Sequence, residues 1–148
     1  MADATHLVCP HCGAVNRIPP ARPAQAAQCG ACHRKLFDGH PVEVDQAGFE
    51  RHAERDGIPL LLDVWAPWCG PCRMMAPQFE QAATILEPEV RLLKLNADEA
   101  PEISARLGVR GIPALFLLRG GRVIGQSAGA MSAQAIVDFA RRHLAAAA

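Results

Sequence analysis

Neither sign of charge prevails in this chain of 148 residues: fifteen lysines and arginines face fifteen aspartates and glutamates, for a formal net charge of +0. A protein built to hold a polyanion carries a basic surplus, so the balance argues against a dominant nucleic-acid role. There is no run of about 18 apolar residues, the length a helix needs to cross a bilayer, and no membrane span or membrane partner is expected. The start, MADATHLVCP, lacks both a basic stretch and an apolar core and does not read as a secretory signal. A cytoplasmic location is therefore expected. No Gly-x-Gly-x-x-Gly occurs, so no bound nucleotide is expected and electrons would have to come from a partner. Lysine is scarce, two residues against thirteen arginines. Six cysteines are too few for a disulfide scaffold of this length.

What the cysteines do have is spacing. They fall as three Cys-x-x-Cys pairs: Cys9 and Cys12, Cys29 and Cys32, Cys69 and Cys72. In a reducing compartment such pairs read as metal sites or redox motifs. Residues 1–40 hold the first two pairs, four of the twelve prolines and almost no apolar periodicity. About 40 residues bury too little apolar area to fold without a staple. A boundary is placed near His40–Pro41, giving a module of residues 1–40 and a domain of residues 41–148.

From Pro41 onward short apolar runs alternate with amphipathic stretches. Strands are expected at Val42–Val44, Leu60–Trp65, Val90–Leu95, Ala114–Leu118 and Arg122–Ser127. Helices are expected at Gln46–Arg55, Pro71–Leu86 with a kink at Pro77, Pro101–Leu107, and from a Ser132 cap to about Leu144, before a frayed alanine tail. Gly120-Gly121 signals a hairpin. The order βαβαβαββα predicts an α/β domain with a mixed central sheet flanked by helices.

Trp68-Cys69-Gly70-Pro71-Cys72 follows a buried strand and opens a helix. Disulfide exchange needs a thiolate, and free amides with a partial positive charge at a helix N-terminus stabilise one. Cys69, at an exposed lip, is expected to be the nucleophile. Cys72, one turn into the helix, is expected to be the resolving thiol that attacks a mixed disulfide intramolecularly. Half of a zinc site is the competing reading, but no further cysteine or histidine follows until His143.

The run LLLDVWAPWCGPCRMMAP, from Leu60 to Pro77, resembles thioredoxin, and the likeness extends from about Val42 to the C-terminus. Lys94-Leu95-Asn96-Ala97-Asp98 is similar to the family's third strand and its end, and Val109–Pro113 to the loop carrying its cis-proline. The resemblance implies a thioredoxin fold and a redox-active disulfide between Cys69 and Cys72. It implies a role for Asp63, the only charge in an apolar strand, as proton acceptor for Cys72; burial should raise its pKa. It further implies that Lys94 pairs with Asp63 and that a cis peptide at Pro113 faces the dithiol. Trp68, Gly70, Pro71, Ile112 and Ala128-Gly129-Ala130 would form an apolar docking rim, with Trp65 packed beneath. Pro67, Arg73 and Ala114 depart from the commonest pattern, and none removes a group the chemistry needs.

In residues 1–40 the two pairs are separated by the sixteen residues Gly13–Gln28. That fits Cys-x2-Cys-x15–20-Cys-x2-Cys, a zinc signature. Cys9, Cys12, Cys29 and Cys32 would close a tetrahedron around one Zn2+ ion, with Gly13 and Gly30 easing the two turns. Four sulfurs saturate the metal, so His11 and His33 are not expected as ligands, and the zinc is expected to be structural, or regulatory if oxidation of the thiolates releases it. Extra redox dithiols are the alternative. Zinc ribbon plus redox domain resembles the zinc-containing, thioredoxin-2 type of bacterial thioredoxin.

Together these readings predict a protein-disulfide reductase acting on oxidised protein substrates. The resemblance implies an NADPH-dependent flavoprotein thioredoxin reductase as its electron donor. A monomer is expected, without nucleic acid. Two other classes compete: a binding scaffold of the same fold, and a nucleic-acid adaptor using the zinc ribbon.

Overall fold

A computed structural model describes residues 4–147. Thr5–Val8 (β1) and Val15–Ile18 (β2) form an antiparallel hairpin, with Thr5 opposite Ile18 and Val8 opposite Val15. Val42–Val44 (β3), Leu60–Trp65 (β4), Arg91–Asn96 (β5), Ala114–Arg119 (β6) and Arg122–Ala128 (β7) form a second sheet in the order β3-β5-β4-β6-β7. The first three strands in that order are parallel, and β6 and β7 are antiparallel. The α-helices are Gln46–Arg55 (α1), Gly70–Leu86 (α2), Pro101–Leu107 (α3) and Ala133–Ala147 (α4). This is the expected mixed sheet flanked by helices.

Alternating side chains explain the layers. Leu61, Leu92, Leu115 and Leu117 point to one face, where they pack with Met75 and Phe79 of α2 and Ile136 and Phe139 of α4. Leu60, Leu62, Val64, Leu93, Leu95 and Phe116 point to the other, against Phe49 of α1 and Ile103 of α3. A central strand covered twice has no polar face, which is why LLLDVW reads as a nearly continuous apolar run.

Residues 1–40 contain a hairpin whose buried residues Leu7 and Val8 are adjacent, in keeping with the scant apolar periodicity there. Two expectations are corrected. The alanine tail expected to fray is helical through Ala147, in keeping with alanine's helix propensity, and Ala148 lies outside the described residues. At the two cysteine turns the left-handed positions belong to Gly13 (φ 79°) and His33 (φ 67°), not Gly30. Both turns share one pattern: Gly13 N–H donates to Cys9 O, and His33 N–H to Cys29 O.

The N-terminal hairpin and its loop are held to the larger sheet by buried polar contacts. Val8 N–H donates to Asp56 Oδ1 at 2.8 Å, and the other oxygen of Asp56 pairs with His52 Nδ1. Gly57 N–H donates to His6 O at 2.7 Å. Arg91, at the start of β5, is 1% exposed. Its guanidinium donates to Leu36 O at 2.6 Å and lies 4.1 Å above the Phe37 ring. Glu87 accepts from Gly39 N–H at 2.9 Å and stands 4.0 Å from Arg91. A buried charge stripped of its partner is costly. Arg91→Ala is therefore expected to destabilise the protein by about 3–5 kcal/mol, read as a lower urea midpoint. A loss under about 1 kcal/mol would mean the contact contributes little.

Candidate functional site

Cys69 is the cap residue of α2, in extended backbone (φ −85°, ψ 112°), and its sulfur accepts from Cys72 N–H at 3.2 Å. Pro71 sits in the first turn, where its missing N–H costs nothing. Cys69 and Cys72 are joined as a disulfide with Cα atoms 5.3 Å apart. They are 5% and 3% exposed, so the lip expected at Cys69 is made by its neighbour Trp68, 67% exposed. A helix N-terminus with an amide aimed at one sulfur favours the thiolate there.

Opposite the dithiol, the Ile112–Pro113 peptide is cis, and Ile112 O lies 3.7 Å from Cys69 Sγ. Ile112 and Trp65 each pack against the buried cluster of Ala66, Cys69 and Cys72. Gly129 N–H donates to Pro113 O at 2.9 Å with φ 100°, a conformation that favours glycine. Apart from chain neighbours and, at Gly70, the backbone of α2 itself, no atom lies within 4 Å of where a Cβ would stand at Gly70, Gly111 or Gly129, so these three positions face open space. Trp68 Nε1–H donates to Asp98 Oδ2 at 3.0 Å, which ties the exposed ring to the end of β5.

Asp63 lies in β4 at 1% exposure, and neither carboxylate oxygen has a hydrogen-bond partner. Burial pushes its pKa from 3.8 up to about 7, with Lys94 opposing and Glu43 adding to the shift. Lys94 stands directly opposite Asp63 in the neighbouring strand. The expected ion pair is not made: Lys94 Nζ lies 4.7 Å above the Trp65 ring instead. Trp65 is half-buried beneath the site, as expected, and donates Nε1–H to Glu43 Oε2 at 3.0 Å. Glu43 was not singled out from the sequence. An acid between two valines, in a strand that could lie beside the Lys94 strand, was the available signal.

The second cluster is at the N-terminal turns. The sulfurs of Cys9, Cys12, Cys29 and Cys32 lie within 4.8 Å of one another, with Cys9 to Cys32 at 3.6 Å and Cys12 to Cys29 at 3.5 Å. A zinc tetrahedron with Zn–S near 2.3 Å puts its sulfurs roughly 3.8 Å apart, so the donor set fits a tetrahedral metal ion. His11 N–H and Ala31 N–H each stand 3.4 Å from a cysteine sulfur, Cys9 and Cys29 respectively. Asn16, unnoticed in the sequence, links the two turns: its Nδ2–H donates to Cys29 Sγ at 3.5 Å and its Oδ1 accepts from Gly30 N–H at 2.9 Å. His11 and His33 are exposed, and Arg34 reaches His11 Nδ1 at 3.4 Å.

Comparison with known proteins follows the same division. The thioredoxin family model matches residues 40–142, and the model for the N-terminal region of thioredoxin 2 matches residues 8–34. Thioredoxin C-3 of Corynebacterium nephridii is 38% identical over 125 residues, covering 84% of this chain and 86% of its own. Thioredoxin of Pseudomonas aeruginosa is 39% identical over 100 residues, covering 68% of this chain and 93% of its own. Among solved structures, a point-mutant thioredoxin from Halobacterium salinarum matches with a TM-score of 0.65 at 28% identity, covering 72% of this chain and 93% of its own. Chloroplastic thioredoxin z matches with a TM-score of 0.64 at 25% identity, covering 72% and 96%.

Two outcomes follow from this geometry. Asp63 binds its proton more tightly folded than unfolded, so its burial costs nothing below pH 3.8 and progressively more as pH rises to about 7. Asp63→Asn should therefore gain stability over wild type across that window, up to roughly 4 kcal/mol, and hold the gain above it. Chemical unfolding of both proteins at pH 4 and pH 8 measures it; an equal difference at the two pH values would contradict the assignment. Asn16→Ala should weaken metal retention about tenfold to a hundredfold, read by competition with a chromophoric chelator. Unchanged retention would reduce Asn16 to a turn residue.

Proposed function

We propose, for a chain that belongs to the thioredoxin family of protein-disulfide oxidoreductases, that Cys69 and Cys72 form the dithiol that reduces protein disulfides and that the four N-terminal cysteines hold one zinc ion. The division is the one near His40–Pro41, a metal module of residues 1–40 and a redox domain of residues 41–148. The observation that carries the redox half is the Cys69 sulfur on the Cys72 amide at the start of α2, 3.7 Å from the carbonyl of the cis Ile112–Pro113 peptide.

An extended segment of the oxidised substrate lies along Ile112-Pro113, where a backbone edge can pair with it. Trp68, Gly70, Pro71, Ile112 and Gly129 line the rim. The Cys69 thiolate attacks one substrate sulfur, forming a mixed disulfide and releasing the other sulfur as a thiolate. Asp63, ionised above about pH 7, takes the proton from Cys72. Cys72 then attacks Cys69 Sγ, closing the Cys69–Cys72 disulfide and releasing the second substrate thiolate. Two electrons have passed from the dithiol to the substrate. An NADPH-dependent thioredoxin reductase returns them, in the cytoplasm, to a monomeric protein. No helix among the described residues is long and apolar enough to cross a membrane.

Cys9, Cys12, Cys29 and Cys32 hold zinc as four thiolates with no position left for water, so its contribution is a structural cross-link. The fit of the donor set supports that reading, as does the shortness of a segment that needs a staple.

Dithiothreitol-driven reduction of insulin tests the redox half. Wild type should accelerate it and Cys69→Ser should fall to the uncatalysed rate. A folded wild type that does not accelerate the reaction would instead support a scaffold of the same fold.

A further inference from the structure

In the larger sheet, three charged residues occupy one row across neighbouring strands. Glu43 of β3 stands opposite Lys94 of β5, and Lys94 stands opposite Asp63 of β4. Trp65, two residues beyond Asp63 in the same strand, points to the same face. Its indole N–H is taken by Glu43 at 3.0 Å, and its ring carries the Lys94 ammonium at 4.7 Å. Among the described residues Lys94 makes no ion pair with either carboxylate, and Asp63 has no hydrogen-bond partner at all. Glu43 thus fixes the ring on which the ammonium rests and places a second negative charge on the far side of Lys94 from Asp63.

We propose that Glu43 is a positioning residue for disulfide exchange, setting the proton affinity of Asp63 through Trp65 and Lys94. The inference rests on the reading of Asp63 as the proton acceptor for Cys72. Lys94 alone would hold the Asp63 proton loosely. A negative charge that draws on the same ammonium weakens that effect, and its own field favours the protonated acid.

The surroundings leave these as the charges that matter. β6 presents Leu115 opposite Asp63, and α4 presents Ile136, Val137, Phe139 and Ala140 to the core. The charged residues of α2, Arg73 and Glu80, are exposed. Partial burial raises the pKa of Glu43 against the hydrogen bond from Trp65 and the charge of Lys94, and Glu99, beyond the end of β5, adds to the rise. Lys94 and Glu43 are also the two charges that bear on Asp63, with opposite signs.

The experiment follows the side-chain carboxyl carbon resonance of Asp63 by NMR from pH 4 to pH 10 in the oxidised protein, where neither active-site thiol titrates. The resonance is assigned by its disappearance in Asp63→Asn. The pH–rate profile of single-turnover peptide-disulfide reduction is recorded beside it. Glu43→Gln keeps an acceptor for the indole and removes the charge. It should lower the Asp63 midpoint by about 0.5 to 1 pH unit and move the rate profile with it. Glu43→Asp, which restores the charge, should return the midpoint toward wild type. In a Lys94→Gln background the Glu43→Gln shift should shrink. An Asp63 midpoint unmoved by Glu43→Gln overturns the inference and leaves the Asp63 reading standing. A rate profile that keeps its limb in Asp63→Asn removes Asp63 as proton acceptor, and the role of Glu43 in the reaction with it.

Discussion

Because β4 lies at the centre of five strands with helices over both faces, its residues from Leu60 to Val64 are cut off from water, and the acid among them cannot be solvated. Apolar packing of the other side chains holds Asp63 there against its cost of burial. The same packing fixes where the strand ends, and so where Cys69 meets the first turn of α2. Site geometry and proton affinity thus share one origin. Relaxing the packing around β4 would loosen both.

Cys-x-x-Cys takes two arrangements in this chain, and the backbone that follows each pair decides which. After Cys9 and Cys29 the chain reverses through a left-handed residue, so each pair faces inward and the two pairs converge. After Cys69 the chain enters a helix, so the pair faces only itself and its amide. The first arrangement gathers four sulfurs within 4.8 Å of one another. The second leaves two buried sulfurs beside the exposed Trp68 ring. The two are mechanically joined, since Asp56, Arg91 and Glu87 bury their polar groups against backbone of the N-terminal segment. Buried hydrogen bonds of this kind tie the folding of the segment to that of the larger sheet.

The fold was legible where strands are covered on both faces or helices carry a clear apolar stripe, from Val42 to α4. Cys69, Cys72 and the four N-terminal cysteines stood out by spacing alone, and Asp63 by being a lone charge in an apolar run. Pro113 as cis came only through resemblance, since one proline in a sequence favours trans. What remained hidden depends on register. Glu43 acquires meaning only once β3 is laid beside β5, and Asn16 only once the two turns are brought together. Lys94 was expected to pair with Asp63; the nearby Trp65 ring offered the ammonium a resting place that the sequence does not reveal. His33, rather than Gly30, in the left-handed position of the second cysteine turn shows the same limit.

The central claim is that Cys69 is the sulfur that meets the substrate. Capture of a disulfide-bearing protein by Cys72→Ser, followed by peptide mapping of the adduct by mass spectrometry, tests it directly. The account predicts a stable mixed disulfide at Cys69, released by reductant, with the four N-terminal cysteines unmodified. An adduct carried by Cys9, Cys12, Cys29 or Cys32, with Cys69 free in the folded protein, would contradict it.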